Sequence, residues 1–185
     1  MLDEIYTDLK SRMDKTMASL DKEFQKIRTG RATPAILDGL SANYYGTMTP
    51  LSQMASISVP EPRLLVLQPW DASALGEIEK VILKSDLGLT PQNDGKLIRL
   101  KIPVLSQERR KELAKLVGKG AEEAKIALRS LRREANDLLK ELKTSKEISE
   151  DQQKKGETEV QKITNDYVAK ADAAAAAKEK EIMEF

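Results

Sequence analysis

Lys125, Arg129, Arg132, Arg133, Asn136 and Lys140 recur at helical spacing, each three, four, seven or eight positions from another, so a helix would carry them on one continuous face. Arginine at three of five consecutive positions, 129 to 133, suits forked, charge-assisted contacts to phosphate oxygens. The spacing leaves no acid on the stripe and sets Glu122 and Glu134 off its centre. The plainer reading is a solvated face on a charged helix. Other chemistry is narrow: with neither histidine nor cysteine, the chain lacks imidazole acid–base groups, Ser-His triads, thiol nucleophiles, disulfides and ordinary zinc sites. The acid cluster Glu147, Glu150 and Asp151 is the one place to look for carboxylate catalysis, but it stands at a helix start, where capping and the helix dipole account for it. The expectation is a protein that is not an enzyme, with no catalytic residues, no metal and no cofactor.

The helix that would carry this stripe, the second of three, is the basic side of a helical bundle and the third the acidic side. Residues 105–146 hold twelve Lys/Arg against seven Asp/Glu, and residues 147–185 hold six against ten. No Phe, Tyr or Trp lies between residues 105 and 165, which argues against a base-stacking groove for single strands and favours contact with the backbone of folded RNA. Arg28 and Arg31 flank a Gly/Pro break, and Arg109 and Arg110 open the second helix. They stand as further phosphate contacts or as salt bridges between helix ends and domains.

The elements that must carry these residues are long helices. Ile5, Leu9, Met13, Met17, Leu20, Phe24 and Ile27 make one stripe over about Asp3 to Arg28. Ser106 is a candidate N-cap for a second helix with seam residues Leu113, Leu116, Val117, Ala124, Leu128, Leu131, Ala135, Leu138 and Leu142. Gly118 and Gly120 weaken it, as a close crossing or as tolerated residues. Ser149 and Gln152 have capping-box spacing for a third helix whose seam is Val160, Ile163, Tyr167, Ala171, Ala174 and Ile182. Charged residues at 33% and aromatics at 4% fit thin helices packed along narrow seams, an elongated three-helix bundle. Between Gly30-Arg31-Ala32-Thr33-Pro34 and Pro103 the period changes. Segments 36–40, 42–45, 56–59, 64–67 and 96–102 read as short strands, with one helix over about Ser73 to Lys84 burying Leu75, Ile78, Val81 and Ile82. The fold class expected is α+β: an antiparallel three-helix bundle, residues 1–29 and 106–185, with an inserted β/α/β layered domain, residues 31–105. The linkers Thr29-Gly30-Arg31 and Pro103-Val104-Leu105 would form a double hinge. No apolar run of membrane-spanning length and no basic leader occurs, so a soluble cytoplasmic protein is expected.

Several segments in order carry a family resemblance: Lys26-Ile27-Arg28-Thr29-Gly30-Arg31-Ala32-Thr33-Pro34, Leu37-Asp38-Gly39, Tyr44-Tyr45-Gly46, Ser85-Asp86-Leu87-Gly88-Leu89, Glu108-Arg109-Arg110-Lys111, Arg129-Ser130-Leu131-Arg132-Arg133, Lys146-Glu147-Ile148-Ser149-Glu150-Asp151 and Glu181-Ile182-Met183-Glu184-Phe185. Together they resemble the bacterial ribosome recycling factors over the whole chain. The resemblance implies an L-shaped, monomeric molecule that binds the post-termination ribosome. With elongation factor G and GTP, which that partner consumes, it would separate the subunits to free messenger and transfer RNA. It implies that the bundle lies on large-subunit ribosomal RNA, with Arg132 the foremost contact and Arg129, Arg133, Arg110, Arg28 and Arg31 in support. The small domain would be moved by elongation factor G.

Overall fold

A computed structural model describes residues 2–184. Met1, which opens the acidic start, and Phe185, which closes the C-terminal motif, lie outside the described residues. The chain divides into two compact units, one made of the segment up to Arg28 with Gln107–Glu184, the other of Thr29–Ser106.

The first unit is three helices: α1 (Leu2–Lys26), α4 (Gln107–Thr144) and α5 (Glu150–Glu184). At about 1.5 Å per residue the longer two run roughly 50 to 57 Å. Cross-helix contacts fix their directions. Lys125 meets Asp172, and Arg132 meets Gln161, so α4 and α5 are antiparallel. Position 156 lies against Tyr6 and Tyr167 bonds Asp14, so α1 runs parallel to α5. The buried seam is Leu9, Met13, Leu20 and Phe24 of α1, Leu113, Val117, Ala121, Ala124, Leu128, Ala135 and Leu139 of α4, and Gly156, Val160, Ile163, Thr164, Tyr167, Ala171, Ala175 and Ile182 of α5.

The seam corrects the expected one in detail. Leu139, fully buried, takes the place given to Leu138, and Leu116 is half exposed at 50%. The buried arc keeps the expected Ala124 and Ala135 and adds Ala121, small residues that let the helices approach. Alanine 175 rather than Ala174 is buried in α5. α4 runs unbroken through both of its glycines. A Cβ at Gly120 would sit 3.4 Å from Phe24, whereas one at Gly118 would meet nothing within 4 Å, so the first is a close crossing and the second a tolerated residue. α4 ends where Lys146 turns to φ +62° and the amides of Glu147 and Ile148 donate back to the carbonyl of Leu142. α5 starts on a complete capping box: the amide of Gln152 donates to Ser149 Oγ at 3.2 Å and the amide of Ser149 to Gln152 Oε1 at 2.8 Å.

The second unit holds a hairpin, β1 (Ser41–Tyr44) and β2 (Thr47–Pro50), then a single turn α2 (Leu51–Met54) and an antiparallel sheet ordered β3-β4-β6-β5 from β3 (Ala55–Glu61), β4 (Leu64–Pro69), β5 (Pro91–Asn93) and β6 (Ile98–Lys101). Helix α3 (Leu75–Lys84) packs on both β1 and β5. Leu65, Leu67, Ile98 and Leu100 point from alternate positions of paired strands into the same cluster as Ile78 and Ile82. Segment 36–40, expected as a strand, is instead a 3-10 turn over Pro34–Leu37, since Pro34 starts a helical turn readily and cannot join a ladder. β2 and β5 carry Pro50 and Pro91, which mask them as strands in the sequence. The hairpin closes on Tyr45 (φ 48°) and Gly46 (φ 83°), both left-handed, the twist a two-residue turn needs. Both chain crossings are tied to the β3–β4 turn: the amide of Ala32 donates to the Pro62 carbonyl at 2.7 Å and that of Ile102 to the Arg63 carbonyl at 2.9 Å.

Candidate nucleic-acid interface

α4 holds Arg129, Arg132 and Arg133 on adjacent turns beside the seam that Leu128 and Ala135 bury. The helix presents the basic stripe in one arc, but the arc is not free of acid. Glu122 accepts from Lys125 at 3.0 Å and from Arg129 at 3.2 Å, and Lys125 also reaches Asp172 of α5 at 3.1 Å. These bonds hold the Glu122 carboxyl below the usual carboxylate range, Lys125 contributing most, and raise Lys125 above the usual lysine value through Glu122 first and Asp172 second. The expectation of a stripe without acids is thereby corrected. Glu122 is one turn before Lys125 on the same side, and i, i+3 partners meet on a helix surface. Lys140 is paired too, with Asp137 at 3.4 Å.

What remains uncompensated is narrower and lies at the stripe's centre. Arg132 is half-buried at the α4–α5 groove and donates through Nη1 to Gln161 Oε1 at 3.1 Å, a neutral acceptor. Arg133 is exposed, with neither a hydrogen bond nor an ion pair among the described residues. Asn136, counted on the polar face, instead turns its Oδ1 inward, buried and without a partner. Two adjacent guanidinium groups thus keep full charge, and the neighbouring face of α5 is mixed, with Lys154 and Lys162 beside Glu157 and Asp166.

The other predicted contacts stand apart. Arg110 is about 33 Å along the helix from Arg132, at about 1.5 Å per residue, and its Nη1 donates to the carbonyl of Met183 near the end of α5 at 2.7 Å. Arg109 pairs with Glu112 at 2.8 Å. Arg28 is exposed just beyond α1, and Arg31, also exposed, belongs to the second unit. The residues named for the joint show one clear backbone signal, Gly30 at φ +82°, a conformation that favours glycine. Thr29 is buried and Val104 61% exposed. Gln161 was not foreseen. Its only sequence signal is its place on the face of α5 that an antiparallel α4 would bring to Arg132, which requires the register of the two helices. Among the described residues, no group of three or more acids could hold a metal ion, and no helix is long and apolar enough to cross a membrane.

Known proteins match over the full chain. The family model for ribosome recycling factor matches residues 20–183. A ribosome-recycling factor of Syntrophobacter fumaroxidans is 52% identical over 185 residues and all of both chains. That of Solidesulfovibrio magneticus is 55% identical over 181 residues, 98% of each. Among solved structures, a solution structure of the ribosome recycling factor superposes with a TM-score of 0.76 at 38% identity, covering 100% of this chain and 98% of the other. A second has a TM-score of 0.66 at 47% identity, covers 98% of each chain, and belongs to models of the T. thermophilus ribosome recycling factor and the E. coli elongation factor G bound to the E. coli post-termination complex. Sharing its fold with solved ribosome recycling factors and more than half its residues with the two relatives, this chain belongs to the ribosome recycling factor family.

Proposed function

We propose that this protein binds the post-termination ribosome in the cytoplasm as a monomer and, together with elongation factor G and GTP, splits the subunits so that messenger and transfer RNA are released. The observation that carries the reading is the pair Arg132 and Arg133, two guanidinium groups left without a carboxylate on a helix whose other central cations are neutralised. An isolated protein gains nothing from withholding partners there, whereas a phosphate backbone would supply them. Arg129 beside them, and Arg110, Arg28 and Arg31 at separate places, would add further contacts to large-subunit ribosomal RNA. The factor itself would perform no bond chemistry and hold no cofactor; GTP is consumed by its partner. It would act by binding best to the ribosome state whose bridging contacts are weakened.

The second unit would supply movement. Because Ala32 and Ile102 are both tied to the turn at Pro62-Arg63, the crossings belong to the small unit from those residues inward. The angle between the units would then change over the short connections around Thr29-Gly30-Arg31 and Pro103-Val104-Leu105, which is what a rigid body pushed by elongation factor G needs. Light scattering of post-termination ribosomes tests the whole reading. Scattering should fall only when this protein, elongation factor G and GTP are all present; a fall without this protein, or none with all three, would refute it.

A further inference from the structure

Gln161 is the neutral acceptor that holds Arg132, and its own orientation is fixed. Its Nε2 donates to Asn165 Oδ1 at 2.7 Å, one turn on along α5, so its Oε1 is the end that faces α4 and accepts from Arg132 Nη1 at 3.1 Å. The nearby carboxylate one turn back, Glu157, is occupied by Gln153 Nε2 at 2.8 Å. The relay Arg132, Gln161, Asn165 therefore contains no acid. The contrast with the preceding turns is chemical: Lys125 and Arg129 are held by carboxylates, which orient a cation and also cancel its charge. An amide orients it and leaves the charge whole.

Resting on the RNA-contact reading of α4, we infer that Gln161 is a positioning residue for Arg132: it pre-orients the guanidinium across the α4–α5 groove at full charge, so that less side-chain freedom is lost when a phosphate is bound. A long side chain fixed in advance binds better than one ordered at the moment of contact. A carboxylate at the same place would fix it as well and defeat the purpose.

The test uses the full-length protein and intact ribosomes, with affinity measured by co-sedimentation over a range of salt concentrations and melting followed in parallel. Gln161→Ala should weaken binding about twofold to tenfold, the cost of ordering one long side chain at the moment of contact, with melting unchanged. In the Arg132→Ala background the same change should have no further effect, because the two act as one unit. Gln161→Glu should keep the melt and lower the slope of log affinity against log salt by about 0.7 to 0.9, the loss of one phosphate contact. Equal weakening by Gln161→Ala with and without Arg132, or an unchanged slope for Gln161→Glu, overturns the inference. So does a silent Gln161→Ala beside a damaging Arg132→Ala, which leaves the RNA-contact reading intact. A silent Arg132→Ala refutes that reading itself, and this inference with it.

Discussion

Two glycine-to-alanine substitutions in the bundle should have opposite signs. A Cβ at Gly156 would lie 3.0 Å from both terminal methyls of Leu139, closer than real Cβ atoms ordinarily come. Leu139 is fully buried, so it cannot swing into solvent to make room. Overpacking of this kind costs about 1 to 3 kcal/mol. Against it stands about 1 kcal/mol gained by replacing glycine with alanine inside a helix. The net effect of Gly156→Ala is then a loss of roughly 0 to 2 kcal/mol. At Gly118 a Cβ meets nothing within 4 Å, so only the helix term remains and Gly118→Ala should stabilise by about 1 kcal/mol. Urea unfolding followed by helical circular dichroism would measure both, with m-values compared to check that the unfolded states match. The diagnosis can be sharpened with Leu139→Ala, which should cost about 2 to 5 kcal/mol alone and distinctly less in the Gly156→Ala protein, because truncating Leu139 removes the clash. If both glycine variants stabilise equally, or if the Leu139 and Gly156 changes simply add, the close α4–α5 approach at this point is wrong.

Other outcomes follow from single contacts. Arg132→Ala should weaken ribosome binding by about 1 to 3 kcal/mol and Arg133→Ala comparably, whereas Arg129→Ala should cost less because Glu122 already shares its charge; co-sedimentation of the three variants checks the order. Ser149→Ala should lower bundle stability by about 1 kcal/mol through loss of the capping box, read from the urea midpoint. Burial, and then the hydrogen bond it donates to Asp14 at 2.5 Å, pushes the Tyr167 phenol from 10.0 up to about 12. The folded state thus holds this proton more tightly than the unfolded chain, giving stability that is complete below pH 10 and lost as pH climbs toward 12. Tyr167→Phe should flatten that alkaline decline in a series of melts, and an unchanged decline would refute the assignment.

The long helices were readable because a single seam at helical period leaves little choice, and because Ser149 and Gln152 announce a helix start at fixed spacing. The small unit was less so. Its β2 and β5 contain prolines and run only four and three residues, and Pro34 turns an apolar stretch that looks like a strand into a 3-10 helix. Short segments of this kind take their structure from what they pack on, here the cluster around Leu65, Leu67, Ile78 and Ile98, and periodicity within four residues cannot report it. The seam of α4 was misplaced by one residue at Leu138 and Leu139 for a related reason. Over a helix of 38 residues, several leucine lines satisfy a three-or-four step, and only the partner helices select one.

The basic stripe shows where one-dimensional reading stops. Which cations share a face follows from 3.6 residues per turn, and the structure keeps Arg129, Arg132 and Arg133 together. Which of them retains its charge depends on acids from elsewhere, and Asp172, 47 positions beyond Lys125 in the sequence, enters only through the antiparallel packing of α5. The count of twelve cations against seven acids over residues 105–146 therefore overstated the usable field. Pairing removes Lys125, Arg129 and Lys140 from the centre of the face and leaves Arg132 and Arg133, a smaller site than the stripe but a sharper one. On the proposed RNA contact that arrangement would serve specific recognition better: charges already satisfied attract phosphate weakly, so the two that remain would decide where along the bundle a backbone seats.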